Sequence, residues 1–208
     1  MAYTDFTLEK ALKRFSLTVE IKELFPEVTP QPLSNALREQ LLEGIPLALR
    51  GGSEKARSEF IVAPILLTLR SRNKRIMIYS GARLDVEPES GLVGECDFLI
   101  AEGIALPSLL RTPILSILEA KKLDIEQGLG QCTAQLVAAQ KLNQREGIET
   151  TVYGCVTTAE AWQFMRLEGN ILTLDSARLV IAQPEYESVV EQLLGIFTQI
   201  LELTLSPE

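Results

Sequence analysis

Glu119, Ala120 and Lys121 close an apolar run, Ile114-Leu115-Ser116-Ile117-Leu118, and a lone acid, Asp97, stands within an earlier one, Gly94-Glu95-Cys96-Asp97-Phe98-Leu99-Ile100-Ala101. Two carboxylates and an ammonium delivered from neighbouring strand ends make a divalent-cation site with a positive charge attached, a set suited to phosphodiester chemistry. Side chains alternate along a strand, so Glu95 and Asp97 are expected on one face and Cys96 and Phe98 on the other. By the same alternation Ala120 faces away and Lys121 returns to the face of Glu119. Hard oxygen ligands favour magnesium or manganese over zinc. The ammonium is placed to orient an attacking water or to offset charge on a phosphate in the transition state.

The elements that must position these groups follow from periodicity. Residues 53–69 read as a helix that carries Glu59, with Phe60, Ala63, Ile65, Leu66 and Leu69 as its buried stripe, Pro64 bending it and Ser53 capping it. That stripe sets Glu59 near the core, where a carboxylate needs a metal, Lys121 or a backbone donor. Strands are expected at 76–79, 92–101, 114–121 and 151–156, a helix at 124–143, and a hairpin of 162–167 with 170–174 turning at Glu168-Gly169. Residues 7–15 and 33–43 have helical periodicity, with Pro26, Pro30 and Pro32 between them, and are expected to form one N-terminal helical layer that ends at Gly51-Gly52. After Pro184, residues 187–203 form an amphipathic helix whose apolar side, Val190, Leu193, Leu194, Phe197, Ile200 and Leu201, serves intramolecular packing or a homodimer contact. The expected fold is α/β, a mixed central sheet flanked by helices. It is a single domain over 1–208, with a helical extension at 1–50, a core at 53–175 and a C-terminal helix at 185–204.

In this order, Glu59, Asp97 and Glu119-Ala120-Lys121 resemble the PD-(D/E)XK nuclease superfamily, with its restriction-endonuclease-like fold. The resemblance covers residues 53–175. It departs from the family in having Cys96 before Asp97 and a long segment with Pro107 and Pro113 between the second and third strands. The resemblance implies that Asp97, Glu119 and the Ala120 carbonyl hold Mg2+ (or Mn2+), that Lys121 serves the nucleophilic water, and that Glu59 binds a second ion or an intermediary water. In-line attack would leave a 5′-phosphate and a 3′-hydroxyl. The implied partner is nucleic acid, DNA in preference to RNA. Family members often carry a glutamine on the helix after the triplet. Gln127, Gln131 and Gln135 recur every four residues along one face. Gln131 and Gln135 are the candidates for contacting substrate, a solvated polar face being the other reading and the favoured one for Gln127. Gly128 and Gly130 each cost roughly 1 kcal/mol relative to alanine in a helix interior, which close approach to the sheet or a ligand would justify.

Composition narrows the function further. The 208 residues, 46% hydrophobic and 23% charged, suit one globular domain. There is no histidine, which excludes Ser-His-Asp and Cys-His triads, HNH and HD chemistry and histidine-ligated zinc. No Walker loop or nucleophile elbow is present. Cys96, Cys132 and Cys155 are isolated in apolar segments and read as buried free thiols. The net charge of −8 gives no global attraction to phosphates, although Arg70, Arg72, Lys74 and Arg75 cluster locally, with Lys55, Arg57, Arg83, Lys121 and Lys122 as further candidates. The plainer reading of that cluster is a solvated loop. Much of the acidity sits in Glu185, Glu187, Glu191, Glu202 and Glu208. Asp85 and Glu95 read as a hairpin residue and a solvated strand residue. No apolar run is long enough to span a bilayer and the amino terminus has no leader pattern, so a cytoplasmic location without a membrane partner is expected. Two rivals stand beside the nuclease. One is a nonhydrolytic member of the same fold that binds nucleic acid or protein, with Lys121 in a structural ion pair. The other is an α/β enzyme that uses the carboxylates for acid/base work.

Overall fold

The computed structural model describes residues 1–103, 110, 112–182 and 185–205; Pro107, Pro184 and Glu208 lie outside them. Local chemistry sets most element ends. Thr7 caps α1 (Leu8–Phe15), which is followed by the strand β1 (Thr18–Lys22). The Ser34 hydroxyl accepts the Leu37 N–H at the start of α2 (Asn35–Gly51), and Gly52, in the left-handed conformation, ends it. Ser53 caps α3 (Glu54–Arg57) through the Ala56 N–H, as expected. The helix continues through a π-helical turn, Ser58–Val62, into α4 (Ala63–Arg72). Then come β2 (Ile76–Arg83), β3 (Glu95–Glu102) and β4 (Ile114–Ala120). Asp124 caps α5 (Ile125–Arg145), and β5 (Val152–Thr157), β6 (Ala161–Glu168), β7 (Ile171–Val180) and α6 (Tyr186–Thr204) complete the chain.

The strands form one seven-stranded mixed sheet in the order β1-β7-β6-β5-β4-β3-β2. β1 with β7 and β4 with β5 are parallel; the remaining pairs are antiparallel. β4 and β5 are buried at every position because helices cover both faces, which is why their sequences are nearly unbroken apolar runs. On one face, α2, the π turn, α4 and α6 pack against Trp162, Phe164 and Tyr153. On the other, α5 and α1 pack with Tyr3 and Phe6.

The structure departs from the sequence expectations at several points and decides between two of them at another. The N-terminal helices do not form one layer: α1 lies against α5 while α2 lies against the π turn and α4, because β1 carries the chain past the sheet edge between them. Of the two uses expected for the apolar face of α6, intramolecular packing is the one found, since that face is buried within the chain. β1 itself was not anticipated. Finally, Pro64 falls in the first turn of α4, where its missing N–H is tolerated, and the helix widens just before it, with Ala63 N–H bonding to Ser58 O. The Phe60 carbonyl, deprived of an N–H at position 64, faces Gly44 of α2 so closely that an added Cβ would lie 2.5 Å from it. The widened turn rotates the helix surface: Ile61 and Val62 enter the core, and Phe60 is exposed rather than part of the buried stripe. Among the described residues no helix is long and apolar enough to cross a membrane.

Candidate active site

β3 and β4 stay paired as far as Phe98 and Leu118 and then part. Asp97 and Glu119 are the next residues on each side of the opening. There Asp97 Oδ2 accepts the Ala120 N–H at 2.7 Å, so a side chain replaces the ladder bond lost where the strands diverge. The two carboxyl groups are close enough for the Asp97 charge to act on Glu119. Lys121 N–H donates to Thr157 O on β5 at 2.7 Å. In a parallel ladder alternate residues face the neighbour, so Ala120 directs both its N–H and its carbonyl toward β3, into the gap beside Asp97. The strict alternation expected for β3 breaks here: Cys96 packs with Leu99 on the α5 side while Phe98 packs on the other.

α5 lies over this opening. The side chain of Glu119 is 2% exposed, and both its oxygens are engaged. Oε1 accepts the Lys121 ammonium at 2.6 Å and Oε2 accepts Gln135 Nε2 at 2.9 Å. Lys121 also donates to Gln131 Oε1 at 3.2 Å. Gln131 and Gln135 therefore contact the sequence-predicted lysine and glutamate, and Gln127, one turn earlier, is solvated. Gln135 Oε1 is buried without a hydrogen-bond partner. Gly128 has the expected cause, close approach to the sheet, and Gly130 a different one. A Cβ on Gly128 would lie 2.5 Å from Val156 Cγ1 and 3.1 Å from Lys121 Cγ, so the lysine stem runs through the trough that Gly128 leaves between helix and sheet. At Gly130 the backbone of Phe6 and Thr7 occupies the equivalent space.

Burial and the Asp97 charge push the Glu119 carboxyl up to about 7, against the opposing pull of Lys121 and Gln135. Burial also raises Asp97, opposed by the Ala120 N–H and Lys121. Burial alone would lower the Lys121 ammonium, but attraction to Glu119 outweighs it and the group is raised. Protons and a cation would therefore compete for this pair. Among the described residues no group of three or more His, Cys, Asp or Glu side chains gathers as a ready-made cage. The donors that do converge, two carboxylates and the Ala120 carbonyl, suit Mg2+, which takes one or two carboxylates and keeps several waters.

Glu59 is a correction. Its side chain is 55% exposed and pairs with Lys55 at 3.7 Å, because the π turn rotates it away from the core. It nevertheless lines the same cleft as Asp97, a space of about 450 Å3 bounded also by Glu54, Ser58, Ser80 and Glu95. Sequence reading missed Glu54, Ser58 and Ser80, which carry no motif and reach the cleft only through the packing of α3 and β2.

The basic cluster is largely spent on structure. Arg70 donates to Asn73 O, Arg72 to Pro32 O, and Arg75 pairs with Glu102 at 2.8 Å. Arg57 is buried on Thr158 O and Glu160, each at 2.7 Å, and Arg83 pairs with Asp85 at 2.8 Å. Neither adds to a positive surface. Cys96, Cys132 and Cys155 are buried free thiols, as expected, and burial pushes all three up. No family model and no curated protein matches the chain.

Proposed function

We propose that this protein is a metal-dependent nuclease that hydrolyses phosphodiester bonds, in DNA in preference to RNA, as a member of the PD-(D/E)XK superfamily. The observation that carries the reading is the meeting of Asp97, the Ala120 backbone, Glu119 and Lys121 where β3 and β4 part, with Asp97 also lining an open cleft. Asp97, Glu119 and the Ala120 carbonyl would hold Mg2+ or Mn2+, which when bound supplies Lewis-acid stabilisation of the phosphate and a more acidic water. Lys121, which pairs with Glu119 at 2.6 Å, would orient the water. Gln135 and Gln131 keep the carboxylate and ammonium in register, and Glu59 lies across the cleft within reach of a second cation or a bridging water. The buried free thiols fit a reducing cytoplasm.

The test is a Mg2+ and Mn2+ titration of the wild type and Asp97→Ala, with cleavage of single- and double-stranded DNA and RNA by the wild type and Lys121→Ala. Binding that disappears in Asp97→Ala, with cleavage that disappears in both variants, is expected. Metal-dependent cleavage that survives in Lys121→Ala overturns the mechanism. A second reading rests on one observation: the ammonium already neutralises Glu119 at 2.6 Å, as a structural ion pair would in a nonhydrolytic binding module. Nucleic-acid binding with neither metal uptake nor cleavage would establish that reading instead.

A further inference from the structure

β1 is an edge strand of five residues, exposed along its length; Val19 is 43% and Ile21 72% exposed. Neither a proline nor a bulge interrupts it; its guards are a short length and the charges of Glu20 and Lys22, which a strand of complementary charge would pair with. Thr18 donates its N–H to Asn170 O, which fixes the ladder: Thr18, Glu20 and Lys22 turn their backbone groups toward β7. Val19 and Ile21 therefore turn theirs outward.

We propose that this edge pairs antiparallel with β1 of a second copy of the chain, about a two-fold axis through Ile21, to give a continuous sheet across a homodimer. On that axis the two Ile21 residues exchange both N–H···O bonds as a hydrogen-bonded pair. Glu20 then falls opposite Lys22 of the second copy, twice, at non-hydrogen-bonded positions. There the Cα atoms approach to about 4.5 Å and opposite charges interact best. Within one chain Glu20 and Lys22 already lie on one face and form an ion pair. The charge pattern selects this register: an axis through Glu20 would set that residue against itself, and one through Val19 would set it against Thr18. The contact is isologous, so it closes at two copies. Its small area makes a weak dimer.

Sedimentation velocity from about 1 µM to about 500 µM reads the equilibrium, the upper range being where so small an interface populates. The wild type should dimerise within that range. Glu20→Lys and Lys22→Glu, made singly, should each weaken association roughly tenfold or more by opposing like charges, and the double reversal should restore it. Ile21→Pro should abolish it while leaving the melting temperature unchanged, because the Ile21 N–H points away from β7 and serves no bond among the described residues. A monomer throughout the range, or a dimer indifferent to the single reversals, overturns the proposal; so does a double reversal that fails to rescue. None of these results depends on whether the protein cuts nucleic acid.

Discussion

Replacing Glu119 by glutamine isolates the electrostatic strain held at the strand opening. The folded protein raises this carboxyl from its ordinary 4.5 to about 7, so the fold favours the protonated form. The contribution to stability is present in full below about pH 4.5 and is lost as pH rises through about 7, where the unfolded chain has already released its proton. At about 1.4 kcal/mol per pH unit the loss approaches about 3 kcal/mol. The Glu119→Gln variant has no such loss, and its Asp97 no longer faces a second carboxylate. Urea unfolding in EDTA should show the stability of Glu119→Gln relative to the wild type growing by up to about 3 kcal/mol between pH 5 and pH 8. For a chain of this size that corresponds to about 6–12 °C in melting temperature. Any constant offset from the lost Lys121 partner cancels, since the readout is the slope against pH. Mg2+ at pH 8, a hundredfold above its dissociation constant, should return about 3 kcal/mol to the wild type and nothing to the variant. A difference flat to within about 0.5 kcal/mol across the range, or equal stabilisation of both proteins by Mg2+, would refute the reasoning.

Gly128→Ala forces a methyl group between Val156 and the Lys121 stem. It should cost about 1–3 kcal/mol in urea unfolding and reduce cleavage more than metal binding. Gln135→Leu removes the amide donor from Glu119 Oε2, and the orphaned Gln135 Oε1 goes with it. Isothermal titration should show Mg2+ binding moved to higher pH, because the donor that lowers the carboxyl is gone. Glu59→Gln should change stability by less than about 0.5 kcal/mol, since the pair with Lys55 is exposed. A fall in turnover without that loss would assign Glu59 to the chemistry, and unchanged turnover would remove it.

Much of the fold was legible because each element carries its own signal. Ser53, Asp124 and Ser34 mark helix starts by accepting backbone N–H groups three or two residues on, a local act that needs no tertiary partner. The runs around Leu115 and Val156 read as strands because burial on both faces leaves no polar position. β1 was illegible for the opposite reason: exposed on both faces, it shows no buried side, and its partner lies some 150 residues later in the chain. Glu59 was misplaced because helical periodicity assumes an unbroken α-helix, whereas the contact of Gly44 with the Phe60 carbonyl and the missing N–H of Pro64 favour a wider turn.

By itself the sequence determined which groups the candidate site contains. Asp97, Glu119 and Lys121 sit at the ends of strands that their neighbours oblige to be buried, and alternation fixes the side to which the glutamate and lysine point. Only tertiary structure decided what those groups are. Parting of β3 from β4 turns Asp97 onto the Ala120 N–H, and the close approach permitted by Gly128 lowers α5 until Gln135 and Gln131 meet Glu119 and Lys121. Proton affinity depends on surrounding charge, dipoles and water, all supplied by residues distant in the chain, so no reading of the triplet alone yields a glutamate poised near neutrality.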